Sequence, residues 1–272
     1  MKTRSIDLSC RVFRCQREDH AAKLDTGRYS TISSQSCTRE CNGRCSPSTR
    51  HNGKAEIHYT RVYRHFGRWS DDGSLAKFFE VSVKQLNDAG LLDLSVLHGD
   101  GTNTVAKKGG DGIGYSGHKH QTGEKIIAIV ENNGNILAPF PVATVNTNDC
   151  ILLPESLRYL SSMSRNIGFS LKGSIINLDG GFDSKKNRKA VFNRGMVPNV
   201  PENKRNRKKP KPGPKRMFDA AAHELRLVVE RKFAWEDKFK RLLLRFERIQ
   251  SRHLSFRMIA YALINLRRFC SA

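Results

Sequence analysis

Between residues 94 and 200 short apolar runs follow one another in an order that leaves few folds open. The run at 94–98 predicts a strand that ends at Asp100. Gly99, Gly101, Gly109, Gly110, Gly112, Gly114 and Gly117 then predict a long glycine-rich connection. A second strand is expected at 125–130, the Asn132-Asn133-Gly134 turn signal follows, and a third strand is expected at 136–145 with prolines at its edge. Asp149 is placed to cap a helix to about 164. The run at 174–178 predicts a fourth strand ending at Asp179, then come a short helix at 184–193 and a fifth strand at 196–200. A meander followed by alternating helix and strand is a mixed α/β sheet with flanking helices. Beyond it, a long helix is expected at 218–249 and a last one at 254–269, with the stripe Phe256, Ile259, Ala262, Leu263 and Leu266 turned to a core.

The part before this sheet is of two kinds. At 56–69, Tyr59, Val62, Tyr63, Phe66 and Trp69 recur at helical spacing; Asp71-Asp72-Gly73 breaks the pattern, and Ser74 is placed to cap a second helix to about 91. These helices, at 56–92, read as a linker or a small DNA-binding unit, and 93–272 reads as the main domain. Residues 1–55 show no period, and ten of the 24 residues from Thr26 to Thr49 are Ser or Thr, so this segment is expected to be disordered. Cys37, Cys41 and Cys45 are spaced C-x3-C-x3-C, which matches no common zinc pattern. With no apolar leader after Met1-Lys2-Thr3-Arg4, the seven cysteines are expected to be free thiols in a reducing cytosol.

Charge narrows the partner. Lys plus Arg is 48 and Asp plus Glu is 26, a net +22. Such an excess calls for a polyanion, nucleic acid first and an anionic membrane surface second. No apolar run is long enough to cross a membrane, which favours DNA in the cytoplasm at the nucleoid. The segment 203–216, NKRNRKKPKPGPKR, is the densest cationic stretch: Lys204, Arg205, Arg207, Lys208, Lys209, Lys211, Lys215 and Arg216 with no acid. Its prolines prevent a helix, so it reads as a flexible loop for phosphate contacts.

Three acids stand where a metal site needs them. Asp100 and Asp179 end neighbouring strands, and Glu230 lies in the long helix. Hard divalent cations prefer such oxygen ligands. By spacing alone the signal is weak, because a chain with 26 acids offers many such triples, and each acid reads first as a solvated turn or a surface helix position. Local sequence adds more. The stretch at Asp100 reads HGDGTNTVAKKGGDGIGYSGHKHQTGEK, that at Asp179 reads INLDGGFDS, and that at Glu230 reads LRLVVERKFAWEDKFKRLLLRFER. Together they resemble the DDE transposases of bacterial insertion sequences, in the group with D-x-G-[YF]-D-S and V-E-R-x-F-x-W motifs. The likeness runs from about 59 to 269, and VYRHFGRWSDDG resembles the helical stretch that precedes the catalytic domain in that group.

The resemblance implies an RNase H-like fold and Mg²⁺-dependent cleavage and strand transfer at transposon ends. It implies two Mg²⁺ ions (Mn²⁺ being a possible substitute) on Asp100, Asp179 and Glu230, and a homo-oligomer on DNA that joins two ends. The group's arginine falls on Arg226, one turn before Glu230, where it is suited to hold a phosphate. Where the signature has Tyr, this chain has His223; where it has a DNA-contacting Lys, this chain has Asp237 with Lys238 next to it. Asp183 competes with Asp179 but reads as a helix N-cap. His98, His118 and His120 read as loop or DNA contacts, Trp235 as core, and Arg241, Arg245 and Arg248 as either DNA-tracking or solvated helix charges. Residues 1–55 depart from the group, whose members begin with a helical DNA-binding domain. That departure motivates an alternative, a truncated or frameshifted remnant that binds DNA without cutting it.

Overall fold

The computed structural model describes residues 58–138, 141–203 and 217–270. Residues 1–55, their cysteines, and the whole cationic run 204–216 lie outside the described residues. The chain divides at Ser74/Leu75 into two units. The first holds helix α1 (Tyr59–Asp71), which overlaps the helix expected at 56–69. After it Gly73 turns with φ +78°, and Asp72 rather than Ser74 supplies the capping oxygen, accepting from the Ser74 amide at 2.9 Å.

The second unit, Leu75–Phe269, is the α/β unit. Helix α2 (Ser74–Asp88) leads into strands β1 (Val96–Ala106), β2 (Gly114–Ser116), β3 (Gln121–Glu131) and β4 (Val142–Thr144). Helix α3 (Asp149–Ile167), β5 (Ile175–Leu178), α4 (Lys185–Phe192) and β6 (Val197–Asn199) follow. The chain closes with α5 (Ala220–Glu224), α6 (Leu227–Glu236), α7 (Lys240–Leu243), β7 (Leu244–Arg245) and α8 (Gln250–Leu266). The sheet order is β2-β3-β1-β5-β6, antiparallel in the meander and parallel from β1 to β5 and β6. Helices α3 and α6 pack against it. This is the mixed α/β sheet expected from the order of elements.

Several boundaries differ for physical reasons. β1 does not end at Asp100; it runs eleven residues, Val96–Ala106, through Gly99 and Gly101. A Cβ on Gly99 would lie 2.6 Å from Leu178 Cδ2, so that glycine marks close strand packing, not a loop. The third predicted strand survives as a bridge at Ile136 and the short β4. Asn148, not Asp149, caps α3. Pro154 inside α3 frees the Cys150 carbonyl, which accepts from Asn187 Nδ2 at 3.0 Å. Ser184, not Asp183, caps α4.

The expected helix at 218–249 is broken into α5, α6, α7 and β7. Short-range bonds such as Arg226 N to His223 O and Val229 N to Arg226 O mark the first break. Further on, β7 pairs in parallel with the end of β1. What holds it is a buried ion network. Arg245 and Arg257 are fully buried. Arg245 Nη1 lies 2.6 Å from Glu124 Oε2, and Arg257 lies 2.9 Å from both Glu124 and Glu236. Thr104 accepts from Arg257, and Tyr261 donates to Glu236. Arg245 is therefore neither a DNA-tracking nor a solvated charge. α8 is packed nearly all round, with Met258, Tyr261 and Ile264 in the core; of the predicted stripe only Ala262 is fully buried, while Phe256, Ile259, Leu263 and Leu266 are half-buried.

Candidate active site at the edge of β1 and β5

β1 and β5 are parallel neighbours with Gly99 opposite Leu178, so Asp100 and Asp179 are the next residues on adjacent strands. Alternation puts them on the face that carries His98 and Asn177 two residues earlier. The α5–α6 segment lies over that face. Asn177 Nδ2 donates to the Ala222 carbonyl at 2.5 Å, and His223 Nε2 lies 3.3 Å from the Leu178 carbonyl. Asn199 and Asp219 exchange two further bonds at 2.8 and 2.9 Å. These ties set where α6 starts, with Arg226 at its N-cap position and Glu230 in its first turn.

Arg226 then sits between two of the acids. Its Nη1 is 3.4 Å from Asp100 Oδ1 and its Nη2 is 3.8 Å from Glu230 Oε1. Asp179 is exposed and accepts from the Gly181 amide at 3.4 Å. Burial lifts Asp100 above the usual carboxylate range, and the charges of Asp179 and Glu230 add to the lift, while Arg226 and the Gly101 amide oppose it. The three acids therefore share one electrostatic neighbourhood. Among the described residues, no three acid, histidine or cysteine side chains close on a common point at ligand distance. A guanidinium occupies the gap instead. The donor set, all carboxylate oxygen, suits Mg²⁺ or Mn²⁺. Glu230, 53% exposed, is not fixed by burial.

The rival acid is spent. Asp183 is buried, bound to Arg188 Nε at 2.9 Å, and accepts from the Asn203 amide at 3.1 Å. His98 lies beneath the acids, fully buried; burial holds its pKa below the ordinary histidine value, and the positive charges of Arg226 and His223 act the same way. It bonds to Asn177 at 3.3 Å, so it is a core residue of the site rather than a loop contact. Lys238 Nζ stacks 3.6 Å from the Trp235 ring centroid, and the Arg267 guanidinium lies 3.8 Å from it. Sequence reasoning missed Asn177, Asn199 and the Arg245–Glu124–Arg257–Glu236 network. The available signals were a polar residue at the centre of an apolar strand, and an arginine among apolar residues in α8.

Residues 86–265 match the family described as Transposase DDE domain. The chain belongs to the DDE transposase family. The chain is also similar, with 27% identity over 143 residues, to a protein from Burkholderia cepacia described as a putative transposase for insertion sequence element IS402. The match takes in 52% of this chain and 62% of that relative's length. Two solved structures are also similar. The cryo-EM piggyBac transposase synaptic complex with hairpin DNA is 14% identical, with a TM-score of 0.41, covering 65% of this chain and 47% of that one. The Mos1 mariner paired-end complex with Mn is 9% identical, with a TM-score of 0.34, covering 100% of this chain and 79% of that one. Among the described residues of this transposase, no helix is long and apolar enough to cross a membrane.

Proposed function

We propose that this transposase cuts the ends of its insertion element and joins the freed 3′ ends to target DNA, using Asp100, Asp179 and Glu230 as metal ligands. The observation that carries the reading is the three-carboxylate neighbourhood at the β1–β5 edge with Arg226 set between two of its members. Membership of the DDE family supports it. Two Mg²⁺ or Mn²⁺ ions, when bound there, supply activation of the attacking oxygen and stabilisation of the leaving one.

The chain's own residues do the rest. Asp100 must be ionised to bind a cation, and Arg226 with the Gly101 amide favours that form against the burial that opposes it. Arg226 offsets the charge of Asp100 and Glu230 in the free chain and offers the same guanidinium to a DNA phosphate. The Asn177–Ala222 and His223–Leu178 contacts keep α6 over the strand edge, so Glu230 and Arg226 are presented together. His98, held neutral by burial, adds no charge beneath the site. Lys238 and the cationic residues Lys204, Arg205, Arg207, Lys208, Lys209, Lys211, Lys215 and Arg216 supply sequence-independent phosphate attraction. Joining two ends in concert requires a homo-oligomer on DNA, and DNA as partner places the protein in the cytoplasm at the nucleoid.

A second reading, a remnant that binds DNA without cutting it, is favoured by one observation: residues 1–55 carry none of the helical periodicity of the group's N-terminal domain. One assay separates the two. With the element's terminal-repeat DNA and Mg²⁺, the transposase reading predicts cleavage by the parent protein and its loss in Glu230→Gln. A parent protein that binds the DNA but never cuts it supports the remnant.

A further inference from the structure

A second polar site lies beside the acids, on the opposite face of β1. A cleft of about 570 Å³ opens there between β1, the β2–β3 hairpin and the turn into α3. Gly101 and Gly181 are in its lining, one residue past Asp100 and two past Asp179 in the chain. Its size is that of a small-molecule site.

The lining divides into groups that are spent and groups that are not. Lys125 is spent: its ammonium lies 2.7 Å from Asp149 Oδ1 and donates to the Thr147 carbonyl at 2.8 Å. That pair cancels its own charge. By contrast, the side chains of Asn103, Asn146, His118 and Lys119 make no hydrogen bond or ion pair with any other of the described residues. Asn148 spends its Oδ1 on the Cys150 amide and keeps its NH₂. Gly101 supplies a floor with no side chain. Among the described residues, what faces the cleft is therefore mainly amide, with a single uncompensated ammonium at the hairpin tip. A polyphosphate or a bare run of phosphates would call for more cation than this. Amides both donate and accept, and pair with base edges; one ammonium suits one phosphodiester.

We infer that this cleft binds one nucleotide of the DNA strand next to the scissile phosphate, with Asn103 and Asn146 on the edge of its base and Lys119 on its phosphate. This rests on the DNA reading above, and adds to it a site outside the acids. Asn103 pairs across the sheet with Lys125, so the Lys125–Asp149–Thr147 contacts hold the cleft wall to which Asn103 belongs.

The test uses the full chain and two fluorescein-labelled single strands of about a dozen nucleotides. One carries bases throughout, and the other has the same phosphates with abasic positions in the middle. Binding is read by anisotropy without divalent metal, which avoids cleavage. Asn103→Ala and Asn146→Ala are expected to weaken the base-bearing strand about fivefold to tenfold and to leave the abasic strand unchanged. Lys119→Ala is expected to weaken both strands alike. Melting temperatures equal to the parent's are expected for all three, since none of these side chains holds another described residue. Parent-like binding of the base-bearing strand by both Asn variants overturns the cleft assignment, as does an equal loss on both strands. A parent protein that binds neither strand overturns the DNA reading itself.

Discussion

Replacing Arg257 with Met tests whether the buried ion network holds α6, and so Glu230, in place. Arg257 is fully buried and bonds to Glu236 and Glu124 at 2.9 Å each, and to Thr104. Without it Glu124 keeps Arg245 at 2.6 Å, but Glu236 keeps only the Tyr261 hydroxyl. An ionised carboxylate is then left nearly unpaired in the core. Breaking a buried pair from one side costs about 3–5 kcal/mol, a large part of the roughly 5–15 kcal/mol that holds a domain. Urea denaturation followed by circular dichroism reads this directly. With a slope of about 2 kcal/mol/M the midpoint falls by roughly 2 M. Arg257→Met/Glu236→Gln removes the stranded charge and is expected to recover about half of the loss, so the two changes are not additive. A cost below about 1 kcal/mol, or simple additivity in the double variant, refutes the reasoning.

Three further outcomes follow from the same packing. Gly99→Ala puts a Cβ 2.6 Å from Leu178 Cδ2 and is expected to cost about 1–3 kcal/mol, partly recovered by Leu178→Val, as read by thermal melting. Burial pushes Glu247 up, but the His253 hydrogen bond and the positive charges of Arg241 and His253 outweigh it and hold it at about 2. Its contribution, on the order of 2 kcal/mol, is present above pH 4.5 and lost as pH falls toward 2, so Glu247→Gln is less stable than the parent at pH 7 and converges with it in acid. Burial lowers Lys232 to about 8, so the cost of charging it in the folded state is full below pH 8 and fades as pH rises toward 10.5. Lys232→Met is expected to be more stable at pH 7 by on the order of 1–2 kcal/mol and to lose most of that advantage near pH 10.

The meander, α3, β5 and the Asn132-Asn133-Gly134 turn were legible because their signals are local: period, cap and glycine. Asp179 was legible for the same reason, as the residue where an apolar run stops. Asp100 was found, but as a strand end, because Gly99 and Gly101 read locally as loop. Only the approach of Leu178 shows that Gly99 is a strand residue with no room for a side chain. The continuous helix at 218–249 was misread because its breaks are set from outside. Asn177, Leu178 and Asn199 bind the backbone or side chains of 219–223, and Glu124 draws in Arg245 from 121 residues away. Charges at helical spacing read as a solvated face, and no local pattern distinguishes Arg245 from a surface arginine. The cleft is likewise assembled from strand, hairpin and helix-cap residues with no shared motif.

The central claim is that Asp100, Asp179 and Glu230 form one metal site, and Mn²⁺ titration followed by electron paramagnetic resonance tests it without requiring any turnover. The account predicts that the full-length parent binds Mn²⁺ and that Asp100→Asn, Asp179→Asn and Glu230→Gln each weaken binding at least about tenfold. Binding that is unchanged in all three variants would contradict it.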